Sequence, residues 1–125
     1  MAGASTDLHE RADTLADSVV DLHRAFVSLQ EELEAVDWYN QRSEATSNPE
    51  LAAILAHHRD EEKEHAVMLI EWIRRHDPKF DEHLHTYLFT EASITEVEHE
   101  AEHDDGGGSG DGSLQLGSLR GEEMQ

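Results

Sequence analysis

The chain has no cysteine, which excludes disulfides, thiolate zinc sites, iron–sulfur clusters and thiol nucleophiles and fits a reducing cytoplasm. Cations are scarce as well: nine Lys and Arg stand against 29 Asp and Glu, a net charge of −20. Nucleic acid and anionic membranes are therefore poor partners. No run approaches the roughly 18 apolar residues of a membrane span, and residues 1–21 are polar and acidic, without the apolar centre of a signal peptide. A chain of 125 residues, 37% of them hydrophobic, has room for one small domain with a modest core. What is abundant is carboxylate, together with ten histidines. A field this negative concentrates divalent cations near the surface, so metal ions are the favoured partners.

Between Asp7 and about Thr46 the residues Leu15, Val19, Leu22, Phe26, Leu29, Leu33 and Val36 recur at spacings of four and three, the pattern of a helix with a coiled-coil-like seam. Ser47-Asn48-Pro49-Glu50 breaks it with a cap and a first-turn proline. The same spacing returns as Leu51, Leu55, His58, Glu62, His65, Leu69 and Trp72, predicting a second helix to about His76. Asp77-Pro78 repeats the start signal. A shorter third helix is expected to about Thr90, presenting Phe80, Leu84, Tyr87 and Leu88. The expected organisation is a helical domain over 1–96, an acidic, Gly-rich flexible linker over 97–113 and a separate apolar segment over 114–125. The fold class is all-α: an antiparallel two-helix hairpin, a short third helix and a disordered C-terminal tail. A hairpin has only one neighbour to cover its apolar stripe, so two copies are expected to meet as a four-helix bundle.

Three positions of the second seam are polar, which is unusual for a packing surface. Glu62 and His65, three apart, lie on one helix face within reach of one ion. Helix one offers Glu32, on the strip Ala25, Glu32, Tyr39 beside the seam, with Glu31 and Glu34 as its competitors. Over two chains, Glu32, Glu62 and His65 become four carboxylates and two imidazoles. That inventory is the one found in ferritin-like di-iron proteins, where two helices give one Glu each and the other two give Glu-x-x-His. Buried carboxylates without counterions cost several kcal/mol each, and two divalent ions cancel four of them. The donor set suits iron or manganese better than zinc. Asp60, Glu61 and Glu64 read as an ordinary charged face. His58 reads first as a packed residue with its nitrogen satisfied by a neighbour or water and second as a donor to a ligand, and Tyr39 as either a core aromatic or a hydrogen-bond partner of a ligand carboxylate.

The stretches "EELEAVDWY" (31–39), "ILAHHRDEEKEH" (54–65) and "HTYLFTE" (85–91) resemble the encapsulated ferritins over about residues 20–95. Leu114–Arg120, containing Leu-Gly-Ser-Leu-Arg, resembles the targeting peptides that dock cargo on the inner wall of encapsulin shells. The resemblance implies a protomer that dimerises around a di-iron ferroxidase centre and assembles into a ring, a decamer in the family. It implies oxidation of Fe2+ to Fe3+ for mineral storage, in the cytoplasm inside an encapsulin nanocompartment. The implied ligands are Glu32, Glu62 and His65, with Tyr39 close by as a catalytic neighbour. Glu31, Glu34 and Trp38 resemble a second site on the route to the centre, open to other divalent cations. His58 beside His57 departs from the family pattern and touches only the surroundings of the ligands. The alternative is a metal-stabilised oligomeric cargo or adaptor module without turnover.

Overall fold

A computed structural model describes residues 7–107 of the chain, with side chains through His103. A short 3-10 turn at Ala12–Thr14 precedes α1 (Asp17–Ala45), followed by α2 (Pro49–His76), α3 (Pro78–Tyr87) and α4 (Ile94–Gly107). No strand occurs among the described residues, and none of their helices is long and apolar enough to cross a membrane. The expected all-α hairpin is present, with α1 packed along α2.

The turn between the long helices is built from side-chain caps. Thr46 Oγ1 accepts from the Asn48 amide at 3.2 Å, and Asn48 Oδ1 accepts from the Leu51 amide at 2.9 Å. These bonds satisfy groups that a helix end leaves unpaired. Pro49 then opens α2 with a backbone angle already suited to a helix. At the far end Arg74, Arg75 and His76 complement the negative pole of α2. Both arginines also hold the Glu71 carboxylate, at 2.8 and 2.6 Å.

The seam of the hairpin coincides only in part with the one read in the periodicity. Its buried residues are Ala25, Ala66 and Ile73, whereas Val19 and Leu33, expected inside, are 47% and 53% exposed. The inner stripe of α1 runs Ala25, Leu29, Glu32, Val36, Tyr39, Ser43, all buried or half-buried. That of α2 runs Leu55, Arg59, Glu62, Ala66, Leu69, Ile73. Both keep the four-three spacing and share Leu29, Val36, Leu55, Glu62 and Leu69 with the expected stripes, but Ala25 and Glu32 replace Phe26 and Leu33 on α1, and Arg59, Ala66 and Ile73 replace His58, His65 and Trp72 on α2. The physical reason is size: Ala25 and Ala66 let two backbones approach, as bulkier residues would not. Periodicity cannot choose between adjacent stripes when both carry apolar side chains.

The fold divides into two compact units after His76. In the second, Asp77 accepts from the amides of Lys79 and Phe80 and caps α3. That helix ends at Tyr87 with Leu88 as its C-cap, followed by Phe89 at φ 64°, a left-handed conformation usual for Gly at this position and costing a bulky residue about 1 kcal/mol. Ser93 starts α4, its Oγ accepting from the Glu96 amide at 3.4 Å. Residues 97–107, expected within a flexible linker, are thus helical. Composition misleads there because Glu and Ala are good helix formers, and Val97 and Ala101, one turn apart, give α4 a half-buried stripe. Burial raises the Tyr87 phenol above its ordinary pKa, with Glu98 and Glu102 of α4 adding to the effect. The segment Leu114–Arg120 lies outside the described residues.

Candidate metal centre

Glu32 stands midway along α1 on the inner stripe, and Glu62 stands opposite it on α2. His65 follows Glu62 by three residues and so projects one turn further along a neighbouring line of the same helix. His65 Nδ1 lies 3.1 Å from Glu62 Oε1 and 3.5 Å from Glu32 Oε1. One donor atom from each of the three falls within 4.8 Å of the others, and this is the one such triad among the described residues. Both carboxylates are about three-quarters shielded, while the imidazole is 46% exposed. The group therefore opens on one side of the hairpin.

Its electrostatics are those of a site waiting for positive charge. A hydrogen bond between the two carboxyls holds the Glu32 pKa above its ordinary value and the Glu62 pKa below, so the two carboxyls lose their protons at different points. His65 is raised, chiefly by its bond to Glu62. Both raised values mark a cluster that favours added positive charge, which a metal cation would supply. The donors fit one: two oxygens and one nitrogen suit a divalent ion of the iron or manganese type, and a three-residue set from one chain leaves coordination positions for further ligands.

The surroundings are only partly those expected. Tyr39 follows Glu32 on the inner stripe and meets His58 edge-on, ring centres 5.3 Å apart. His58 itself is exposed. Arg42 lies 5.6 Å from the Tyr39 ring centre and 5.9 Å from that of Trp38. Glu31 and Glu34 are exposed and stand outside the triad. The hairpin thereby separates Glu32 from its two sequence competitors, which the helical twist of about 100° per residue turns away from α2. Of the charged face, Asp60 pairs with Arg59 and Lys63, and Glu61 lies 3.8 Å from His57.

One polar contact across the hairpin was missed. Arg59 Nη1 donates to Asn40 Oδ1 at 3.0 Å across the hairpin, tying α2 to α1 one turn from Glu62. The signal was available, since Arg59 precedes Glu62 by three and shares its stripe. A lone Arg amid charged neighbours gave no reason to look inward.

The EncFtn-like family profile matches residues 7–91. An encapsulated ferritin-like protein of Rhodospirillum rubrum is 54% identical over 131 aligned positions, covering 98% of this chain and 94% of that protein. A ferritin-like protein of Thermotoga maritima is 52% identical, over 74% of this chain and 81% of the relative. A crystal structure of a protein from Nitrosomonas europaea superposes with a TM-score of 0.67 at 61% identity, covering 70% of this chain and 96% of that one.

Proposed function

The chain belongs to the EncFtn-like family, and from that premise we propose that it is a ferroxidase whose di-iron centre forms between two copies. The observation that carries this reading is the triad itself: Glu32, Glu62 and His65 are gathered at one open side of a hairpin that lacks the other half of a bundle. A second copy brought against that side by a two-fold axis supplies the same three residues. Four carboxylates then face two ferrous ions, −4 against +4, and each ion has one imidazole.

Ferrous iron is the substrate. The residues of this chain bind it, shedding protons as they do so, and hold two ions close enough for each to give one electron to dioxygen, which with two protons leaves as hydrogen peroxide. Oxidation raises the metal charge to +6 while the carboxylates stay at −4. The surplus weakens the hold on product and favours its release to a mineral. Tyr39 acts from beside the carboxylates. Glu31, Glu34 and Trp38, exposed on α1, form a second cation site on the approach.

The names of two relatives, an encapsulated ferritin-like protein and an encapsulin nanocompartment cargo protein of Myxococcus xanthus that is 42% identical over 53 residues, support a role as encapsulin cargo. Leu114, Leu116 and Leu119, which follow a Gly-rich run, are the proposed docking residues. A ring of many chains would engage the shell through many weak contacts at once.

The test is aerobic addition of Fe2+ with ferric absorbance followed in time, comparing wild type with Glu32→Ala, Glu62→Ala and His65→Ala. The variants should be slower by an order of magnitude or more, and equal rates in all four proteins would end the ferroxidase reading. Tight iron binding without oxygen consumption would select a metal-stabilised assembly instead. Deletion of residues 114–125 should abolish co-purification with a shell and leave iron oxidation unchanged.

A further inference from the structure

The acidic helix α4 carries two histidines that the proposed centre does not use. His99 and His103 are one turn apart, both exposed, with ring centres 4.9 Å apart and planes tilted by 35°. Two imidazoles bound to one ion at about 2.1 Å would place their ring centres about 4.5 Å apart for a right-angled pair of bonds and about 5.2 Å for a tetrahedral pair. The observed spacing falls between those limits, so the ring separation matches that of a pair sharing one ion.

The sequence around them repeats a unit seen elsewhere in the chain. Glu96 precedes His99 by three residues and Glu100 precedes His103 by three. In α2 the same spacing brings the Glu62 carboxylate to 3.1 Å from His65. Glu96 and Glu100 are exposed, and rotation about their side-chain bonds is all that reaching the imidazoles requires. Val97 and Ala101 occupy the half-buried stripe, so binding at the histidines disturbs no packing.

We infer that His99 and His103, assisted by Glu96 and Glu100, chelate a divalent first-row transition ion on the exposed side of α4. Zinc, nickel and copper, and more weakly ferrous iron, are the ions that imidazole pairs take, whereas calcium and magnesium demand oxygen donors. Because both imidazoles come from successive turns, a bound ion also clamps α4 in its helical state. The inference concerns the second compact unit and stands or falls apart from the ferroxidase centre.

The experiment is calorimetric titration of Zn2+ into the full chain carrying Glu32→Ala, Glu62→Ala and His65→Ala, with and without His99→Gln, His103→Gln or both. A chelate predicts that either single substitution weakens one Zn2+ site by about tenfold or more, as loss of either arm of a two-armed ligand does. Two independent histidines would instead show additive loss of weak sites with unchanged affinity, and that outcome, like identical isotherms, overturns the inference. The same titrations in the wild-type background guard against a folding defect of the triple variant. As a second readout, Zn2+ should slow amide exchange at residues 99–103, and Ca2+ should not. Equal protection by Ca2+ would assign the effect to carboxylates alone and refute the imidazole site.

Discussion

The contact between the two carboxyls raises the Glu32 pKa and lowers that of Glu62, and His65 is held toward its cationic form chiefly by Glu62. Metal at the proposed centre needs these groups deprotonated, so its binding should weaken as pH falls through the raised values of Glu32 and His65. Calorimetry in two buffers of different ionisation enthalpy should therefore detect proton release on Fe2+ or Mn2+ binding. Glu32→Gln should reduce it. The metal-free protein responds in the opposite sense. The raised His65 contributes stability that is fully present below its ordinary value of 6.5 and lost as pH rises through the raised one.

Glu71 shows the converse at the residue scale. Hydrogen bonds from Arg74 and Arg75 depress its carboxyl to about 2. Its stabilisation is present above the ordinary value of 4.5 and disappears as pH falls through about 2. Thermal melts of wild type and Glu71→Gln should differ at neutral pH and converge across that acid window.

At the scale of the elements, the seam is the point at issue. Ile73 and Ala66 form the buried line of α2, and Leu33 lies outside it. Ile73→Ala should cost about 2–4 kcal/mol of unfolding free energy, the range for a truncated core aliphatic. Leu33→Ala should cost well under half of that in the dissociated chain, because Leu33 is mostly exposed there. Denaturant titration at low protein concentration measures both, and a reversed order would restore the seam read from periodicity. The helix boundaries themselves were legible: Asn48 with Pro49, and Asp77 with Pro78, are local chemical signals that act within a few residues. The helical state of residues 97–107 was not, because a Glu-rich stretch next to glycines has the composition of a linker, and its stabilising contacts lie with α3.

At the scale of the whole molecule, charge and assembly dominate. A net charge of −20 should speed encounter with Fe2+ by long-range attraction. Raising ionic strength should slow the second-order phase of iron binding while leaving the oxidation step at saturating iron unchanged. Stopped-flow traces at several salt concentrations separate the two. If the centre is shared, metal also favours association by linkage. Sedimentation should shift to larger species on adding Fe2+ or Mn2+ and back with a chelator, and the His65→Ala chain should not respond.

Spacing along the chain was enough to establish the helices, their caps, and the pairing of Glu62 with His65, because each depends on residues no more than four apart and on the fixed pitch of a helix. The choice of Glu32 over Glu31 and Glu34, the placement of Ala25, Ala66 and Ile73 inside, and the bond from Arg59 to Asn40 depended on how two helices settle against each other. That arrangement is a compromise among side-chain volumes on both surfaces at once, and no single helix carries the information to resolve it.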